Sequence, residues 1–593
     1  MKDKITIFLQ SCKHSKYANW YLAIIFALTI FLQCCLFHYL AFHSILISSL
    51  WKNPLAFWSF YLPKISISVL IAAFVFLFRR KEWTIIVSVL INIWIIVELM
   101  YFRANRIPID AHSFTLIGYL DGFWSSVPMY LQGLDCMLFL PTLILILSFK
   151  IFQNNRISYA GCLIAVCIGI LTNVLGFFGL GKVYKDDFHT GLSSTFHVNP
   201  MSDEDVRALL GFTTLEYVRN TSVVHAFIYD LKKLIQMPFE RSSYEMSNED
   251  CEQIQVFVNQ KLSRVVPKRN LILILVESLE SWAIRPNITP NLYKFMQEHN
   301  VIWAQNITSQ TKGGTSSDGQ FILNTGLLPI QSGAICKRYP SNKYPSLSDI
   351  YSSSALIQPG DLSIWNQKYM SDAYSIDTNY LSPQSLDHQT FDLLNKIYDD
   401  YSYTLAITMA THSPFVVCSN FSTLELPESM PELMANYLKC LHYSDSCWGE
   451  LLKLVDKDTV LQNSTICFMG DHIIFDTNMR NEFEKYCEKS GLDYDVQNNH
   501  TAIIVYSPNL LESKIIDEVT YQMDAFPTIL HLIGCEDYYW KGFGVNLLDS
   551  VARNNRVITE QEAFILSDKV IRANWFETIS DTLRVHNGFI TGS

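Results

Sequence analysis

The segment from Gln310 to Phe321 reads Q-T-K-G-G-T-S-S-D-G-Q-F. It sets two glycines before three hydroxyl residues, Thr315, Ser316 and Ser317, and then Asp318 and an apolar helical run. Gly313 and Gly314 permit a tight turn with close backbone approach. The hydroxyls then fall at the start of a helix, where backbone N–H groups and the dipole favour negative charge. Such a place suits a hydroxyl that attacks phosphorus among phosphate oxygens. The spacing alone equally fits an ordinary helix N-cap after a glycine turn. An unassisted hydroxyl is a weak nucleophile, and a bound divalent cation can lower its pKa and offset phosphoryl charge. Glu277, Asp471 and His472 carry donor types for such a cation.

These residues sit where an α/β sheet would bring them together. Leu271 to Val276 is a continuous β-prone run ending in Glu277-Ser278. Tyr403 to Thr408 precedes Thr411-His412-Ser413-Pro414-Phe415, Ser464 to Met469 precedes Gly470-Asp471-His472, and His500 stands before Thr501 to Tyr506. Helical stretches are expected at 290–299, 432–455 and 522–533. Strands alternating with helices predict a mostly parallel sheet covered on both faces. Ligands of such sheets bind beyond the carboxyl ends of the strands. Three of the strands end in Glu, His or Asp-His, which points to one metal-binding crevice. His500 is open between a ligand role and a surface histidine.

The N-terminal third reads as membrane. Apolar segments at 20–42, 57–78, 83–102, 136–152 and 158–180 each approach the ~20 residues that cross a bilayer, the fourth being the shortest. Lys2, Lys4, Lys13 and Lys16, then Arg79, Arg80 and Lys81, then Lys150 and Arg156 share one side if the N-terminus is cytoplasmic. The opposite loops carry less, Lys52 in one and Arg103 and Arg106 in the other. Five spans would place the rest of the chain outside the cytoplasm. The first span lacks a small-residue cleavage site and reads as an anchor. Residues 103–135, with Trp124 and Tyr130, fit an interfacial segment or an ordinary loop.

The domain expectation is therefore a five-helix transmembrane domain at 1–180 and a juxtamembrane helical connector at 181–265, with helical periodicity at 203–210 and 223–235. A catalytic domain follows at 266–550, and 551–593 is a peripheral C-terminal extension. Residues 1–180 hold 13 Lys and Arg against 6 Asp and Glu; the whole chain is −11, which leaves −18 for the remainder. An acidic domain argues against nucleic acid as a partner, yet a metal ion can supply local positive charge for an anionic substrate. The 14 cysteines are scattered, without zinc-finger spacing, and Cys440 and Cys447 would lie about two helical turns apart. No G-x-S-x-G elbow follows a strand and no G-x-x-x-x-G-K-[ST] loop occurs.

In this order the motifs resemble the lipoteichoic acid synthases and the related phosphoglycerol and phosphoethanolamine transferases of the alkaline phosphatase and sulfatase superfamily. The resemblance covers roughly 267–550, and the five preceding spans fit the same architecture. Val276-Glu277-Ser278 is similar to the family's strand with a metal-binding glutamate, Ile288-Thr289-Pro290-Asn291-Leu292 to its T-P-N-L helix start, and Gly470-Asp471-His472 to its G-D-H with two metal ligands. Thr315-Ser316-Ser317-Asp318 sits where the family has a nucleophilic threonine followed by Ser-Asp. Counting back from Asp318 puts Ser316 at the nucleophile position, with Thr315 a neighbouring candidate. Trp365-Asn366 resembles the W-N of the substrate pocket. Thr411-His412-Ser413-Pro414-Phe415 resembles the T-H-x-P-F whose histidine contacts the substrate phosphate. Ile504 to Pro508 and Met523-Asp524-x-x-Pro527-Thr528 resemble the later strand and helix. Gln367 stands where the family often has Arg, which removes a bidentate phosphate contact that Lys312 or Lys368 could replace.

The resemblance implies a membrane-anchored transferase. A divalent metal, manganese first and magnesium or zinc as alternatives, would be held by Glu277, Ser316, Asp471 and His472. Ser316 would take a glycerophosphate or phosphoethanolamine head group from a phospholipid and pass it to an envelope glycan or lipid, with His412 steadying the phosphate. The expected location is a bacterial cytoplasmic membrane, with the catalytic domain on the outer side. Two other readings stand beside it. One is a hydrolase with water as acceptor, although Gly314 to Gln320 lacks the Pro and Arg of a sulfatase C/S-x-P-x-R motif. The other is a degenerate sensor, whose sign would be a missing metal ligand. The spans have few central charges and no visible inverted repeat, which speaks against a transporter.

Overall fold

A computed structural model describes residues 18–42, 54–105, 108–109, 130–151, 159–189, 218, 221–228 and 245–577, apart from 79, 81, 260–264, 332, 383–385, 475–476 and 497–499. The chain forms two compact units, one within residues 1–237 and one built mainly from 238–593.

Among the described residues the first unit holds five apolar helices: α1 (Ala18–Phe42), α2 (Pro54–Leu77), α3 (Glu82–Asn105), α4 (Phe139–Ile151) and α5 (Tyr159–His189). Four of them, α1, α2, α3 and α5, are long and apolar enough to cross a membrane, while the apolar stretch around α4 covers only Gly133–Ser148. A 3-10 turn, Gly133–Leu138, runs directly into α4. The steeper rise of that turn brings the two together to roughly 30 Å, close to the hydrocarbon thickness. Helices α2 and α5 meet through small residues, and a Cβ on Gly179 would lie 2.1 Å from Ser59 Oγ. Gln33 Nε2 lies 3.1 Å from Ser88 Oγ, 2.8 Å from Asn92 Oδ1 and 3.0 Å from Thr142 Oγ1, within hydrogen-bond reach of each, which ties α1, α3 and α4 together. A buried Arg103–Asp135 ion pair at 2.8 Å links the end of α3 to the turn before α4. Most of the expected interfacial segment and connector lies outside the described residues, including 203–210; residues 223–228 are helical.

The second unit is built on a nine-stranded sheet of order β4-β3-β5-β1-β6-β7-β2-β8, with β9 beside β2. The strands are β1 (Leu271–Val276), β2 (Val301–Thr308), β3 (Ser354–Pro359), β4 (Thr378–Ser382), β5 (Tyr403–Ile407), β6 (Thr465–Gly470), β7 (His500–Tyr506), β8 (Lys514–Ile516) and β9 (Thr520–Tyr521). Only β7 runs against its neighbours. The unbroken burial of β1 and β6 matches their apolar sequences and means helices cover both faces.

Those helices include α6 (Pro290–Glu298), α7 (Ser316–Thr325), α8 (Glu432–Leu452), α9 (Ala525–Leu532) and α10 (Glu560–Arg572). Cys440 and Cys447 are both buried on α8, and no described cysteine is paired. Two buried clusters form the core on the two faces of the sheet. Ala563, Phe564, Leu566, Val570 and Ile571 of α10 belong to one of them. The expected peripheral tail is thus a core element up to Arg572. Its capping box at Thr559 and Glu562 starts a helix whose apolar face has an i, i+3, i+7, i+8 spacing at Ala563, Leu566, Val570 and Ile571.

Candidate metal and phosphoryl-transfer site

Pairing of β1 with β6 brings Val276 opposite Gly470, so the residues that follow, Glu277 and Asp471, leave adjacent parallel strands side by side. Asp471 N donates to Val276 O at 3.0 Å, extending the ladder past the strand end. Strand β5 flanks β1 on the other side, where the Thr408 hydroxyl accepts from Glu277 N at 3.0 Å and the Thr411 hydroxyl donates to Glu277 O. Three strand ends therefore fix one glutamate.

Potential ligand atoms of Glu277, Asp471 and His472 lie within 4.8 Å of one another, and all three residues are buried. His472 Nε2 is 3.6 Å from Glu277 Oε1 and 3.6 Å from Asp471 Oδ2. His472 Nδ1 lies 2.9 Å from Ile473 O. The carbonyl can only accept, so Nδ1 holds a proton and Nε2 is the ring nitrogen that faces the carboxylates. Ser278, in the left-handed region at φ 46°, donates its N–H to Asp471 Oδ1 at 2.8 Å and its hydroxyl to Glu277 Oε1 at 2.8 Å.

Ser316 completes the group as the first residue of α7. Its hydroxyl donates to Glu277 Oε2 at 3.2 Å and lies 3.3 Å from His472 Nε2. Thr315 at φ 43° makes no side-chain cap to the helix, so the simple N-cap arrangement does not occur here. The turn is held instead from Asp318, whose Oδ2 accepts from Lys312 N at 2.8 Å and Gly314 N at 3.0 Å. Gly314 is required, since a Cβ there would lie 2.1 Å from Asp318 Oδ1. Gly319 lets α7 pass against the ligand loop, for its Cβ would come within 2.7 Å of the Asp471 carbonyl oxygen.

The electrostatics call for a cation. Burial, with the Glu277 charge behind it, pushes the Asp471 carboxyl up to about 7. Burial opposes ionisation of Glu277 too, but the His472 and His412 imidazoles outweigh it and hold that carboxyl low. Burial likewise opposes charge on His472, and Asp471 and Glu277 overcome it and raise its pKa. Two buried carboxylates, an imidazole nitrogen and a hydroxyl facing one point fit a divalent cation.

The remaining expected residues fall in three places. His412 stands beyond β5, with its Nδ1 2.7 Å from Ser413 O and therefore protonated there. Trp365 and Asn366, at φ 50° and 55°, form the turn beyond β3. Asn366 Nδ2 donates to Cys336 O at 2.9 Å, and Cys336 Sγ lies 3.5 Å from Ser317 Oγ, so this turn is joined to the start of α7. Gln367 is buried and donates to Ser371 Oγ at 3.3 Å in its own helix. Lys368 is exposed. Lys312 Nζ lies 4.4 Å from the Phe564 ring centroid on α10; burial lowers its pKa, and Glu560 and Asp318 oppose that. His500 opens β7 opposite Thr308, half-buried, and burial lowers its pKa.

Sequence reasoning missed the residues that hold this site. Gln522 Nε2 donates to both Gly470 O at 2.8 Å and Asp471 O at 2.7 Å, and its Oε1 accepts from Gln310 N at 2.7 Å. Gln310 Oε1 returns a bond from Met523 N at 3.0 Å. Glu280, also missed, pairs with Arg480 and accepts from Ile474 N at 2.6 Å and Trp282 Nε1 at 3.0 Å, fixing the loop after His472. A second carboxylate three residues after Glu277 was the only sequence signal for it.

The residues matched by the sulfatase family model, 269–535, span this whole arrangement. The sulfatase-like chain is 24% identical over 335 residues to the lipoteichoic acid synthase-like protein YvgJ of Bacillus subtilis, covering 52% of this chain and 54% of that one. It is 23% identical over 544 residues to the lipoteichoic acid synthase of Staphylococcus aureus, covering 85% of this chain and 81% of that one. Against the first of these it spans only about half the relative's length. The crystal structure of the lipoteichoic acid synthase LtaP from Listeria monocytogenes superposes with a TM-score of 0.43 and 18% identity, covering 51% of this chain and 81% of that one. The expected family resemblance and the membrane-plus-sulfatase fold are both borne out.

Proposed function

We propose that this protein is a metal-dependent transferase that moves a phospho-head-group, glycerophosphate or phosphoethanolamine, from a phospholipid to a cell-envelope glycan or lipid. One observation carries the reading: the Ser316 hydroxyl points into the Glu277, Asp471 and His472 group and not back onto its own helix. The names of the relatives support the reaction class. The apolar helices and the lysine and arginine clusters support a catalytic domain on the outer side of a bacterial cytoplasmic membrane.

The chemistry follows from the positions. A divalent cation held by Glu277, Asp471, His472 and Ser316 would favour the serine alkoxide and offset phosphoryl charge. Ser316 Oγ attacks the phosphodiester phosphorus, the bond to the diacylglycerol oxygen breaks, and the diacylglycerol leaves with a proton. The Ser316 phosphodiester that remains is attacked by an acceptor hydroxyl, and Ser316 is restored. His412 hydrogen-bonds the phosphate or relays the proton. Thr315 is the alternative nucleophile, and Trp365, Asn366, Gln367 and His500 are the candidate substrate contacts, with Lys312 a further one that would have to leave the Phe564 ring to join them.

The test is intact-mass measurement on the full-length chain in detergent, with manganese and vesicles of phosphatidylglycerol or phosphatidylethanolamine, beside Ser316→Ala. A head-group increment on the native chain alone supports the reading and names the donor. Metal binding without any increment, together with release of free head group into water, would sink it in favour of hydrolysis.

A further inference from the structure

The carboxyl ends of β3, β4 and β5 carry exposed apolar side chains beside the site. After His412 the chain turns through Phe415 into the short helix Val416–Ser419. There Val416 is 54%, Val417 65% and Phe421 54% exposed, while Cys418 and Ser419 between them are buried. Tyr369, four residues beyond Trp365, is 54% exposed, and Leu381 near the end of β4 is 44% exposed. Parallel pairing of β4, β3 and β5 puts all of these segments on the rim that holds His412 and Trp365.

Single exposed apolar residues are ordinary, but a group at the mouth of a site is an interaction surface. Its chemistry selects the partner. Residues 401–424 contain no Asp, Glu, Lys or Arg, within a part of the chain that carries −18. That uncharged segment, with Val416, Val417 and Phe421, meets an anionic lipid surface without repulsion and buries aliphatic and aromatic groups at its hydrocarbon boundary. The chain's own apolar helices keep a bilayer within reach.

We propose that this rim, led by Val417 and Phe421, docks on the hydrocarbon boundary of a phospholipid bilayer and admits the lipid phosphodiester to the site from that side. The proposal rests on the reading of the site as one that takes a lipid-borne phosphodiester.

The experiment uses the full-length chain in vesicles of phosphatidylglycerol and phosphatidylcholine. A photo-crosslinking benzoylphenylalanine is placed at position 417, 421 or 515 in turn. Ile515, 59% exposed on β8 near the opposite edge of the sheet, is the control. Lipid adducts at 417 and 421 with none at 515 are expected. Absence of adducts at 417 and 421, equal adducts at 515, or a crosslink at 417 to a second copy in place of lipid would each overturn the proposal. Crosslinking needs no turnover and is repeated with Ser316→Ala, so failure of the transferase reading leaves it intact. In turnover, Val417→Ser with Phe421→Ser is expected to raise KM for vesicle lipid about tenfold with kcat unchanged. Unchanged KM would count against docking.

Discussion

Ser316 Oγ donates to Glu277 Oε2 across 3.2 Å, joining the first turn of α7 to the end of β1 over 39 residues of sequence. The bond aims the hydroxyl away from the helix it begins. Thr315, one residue earlier, has strained backbone and no cap bond. Ser316→Ala is therefore expected to lower head-group transfer from labelled phospholipid by about a thousandfold or more, and Thr315→Ala to leave it within about tenfold. The reverse ranking would move the nucleophile to Thr315.

Metal removal has a stability signature of its own. Glu277 and Asp471 are buried together with His472, and without a cation the two carboxylates oppose each other. Chelation is expected to lower the thermal midpoint of the detergent-solubilised chain, and manganese at a hundredfold over its Kd to restore about 2.7 kcal/mol. Asp471→Asn is expected to abolish that response. A midpoint indifferent to both chelator and metal would exclude a cation here.

Much of this site was legible in the sequence because buried parallel strands write themselves as apolar runs. Leu271 to Val276 and Thr465 to Gly470 announce both the strands and the residues that leave them. Strands β2, β3 and β4 were not legible: β2 mixes polar residues into its pattern, and β4 is mostly half-exposed at the edge. Side-chain direction was hidden too. Lys312 reads as a spare phosphate-binding charge, yet it lies against Phe564, 252 residues on, because α10 folds back over the glycine turn. Local pattern carries no information about such a contact.

Asp318 gives a pH prediction. Burial, set against two backbone N–H bonds and the charges of Lys312 and His472, pushes its pKa from 3.8 up to about 7. The folded chain thus keeps a proton that the unfolded chain releases near pH 4. Stability from this group is full below about 4, falls as pH rises toward about 7, and is level above, with a slope of ~1.4 kcal/mol per unit between. Asp318→Asn keeps an oxygen for Lys312 N and Gly314 N and carries no proton to lose. The difference in unfolding free energy between native chain and variant is expected to shrink from pH 4 to 7 along that slope; a flat difference would show Asp318 ionised throughout.

The Gln310 and Gln522 amides test whether the site depends on groups that touch no substrate. Each accepts a backbone N–H from the other's segment, and Gln522 also fills the carbonyls of Gly470 and Asp471. All of this is buried. Gln522→Ala leaves Gln310 N and two carbonyls without partners, at about 1–3 kcal/mol for each buried polar group. A loss of roughly 3 kcal/mol in unfolding free energy is expected, because small shifts recover some of the bonds. Asp471 is held through its own carbonyl, so the slackening reaches the metal donors. Manganese affinity by titration calorimetry is expected to fall about tenfold in Gln522→Ala, and Gln522→Glu, which keeps the acceptor but removes both N–H donors, to fall with it. If Gln522→Glu kept full affinity, the donors to Gly470 and Asp471 would not matter, and the amide pair would serve only to hold Gln310.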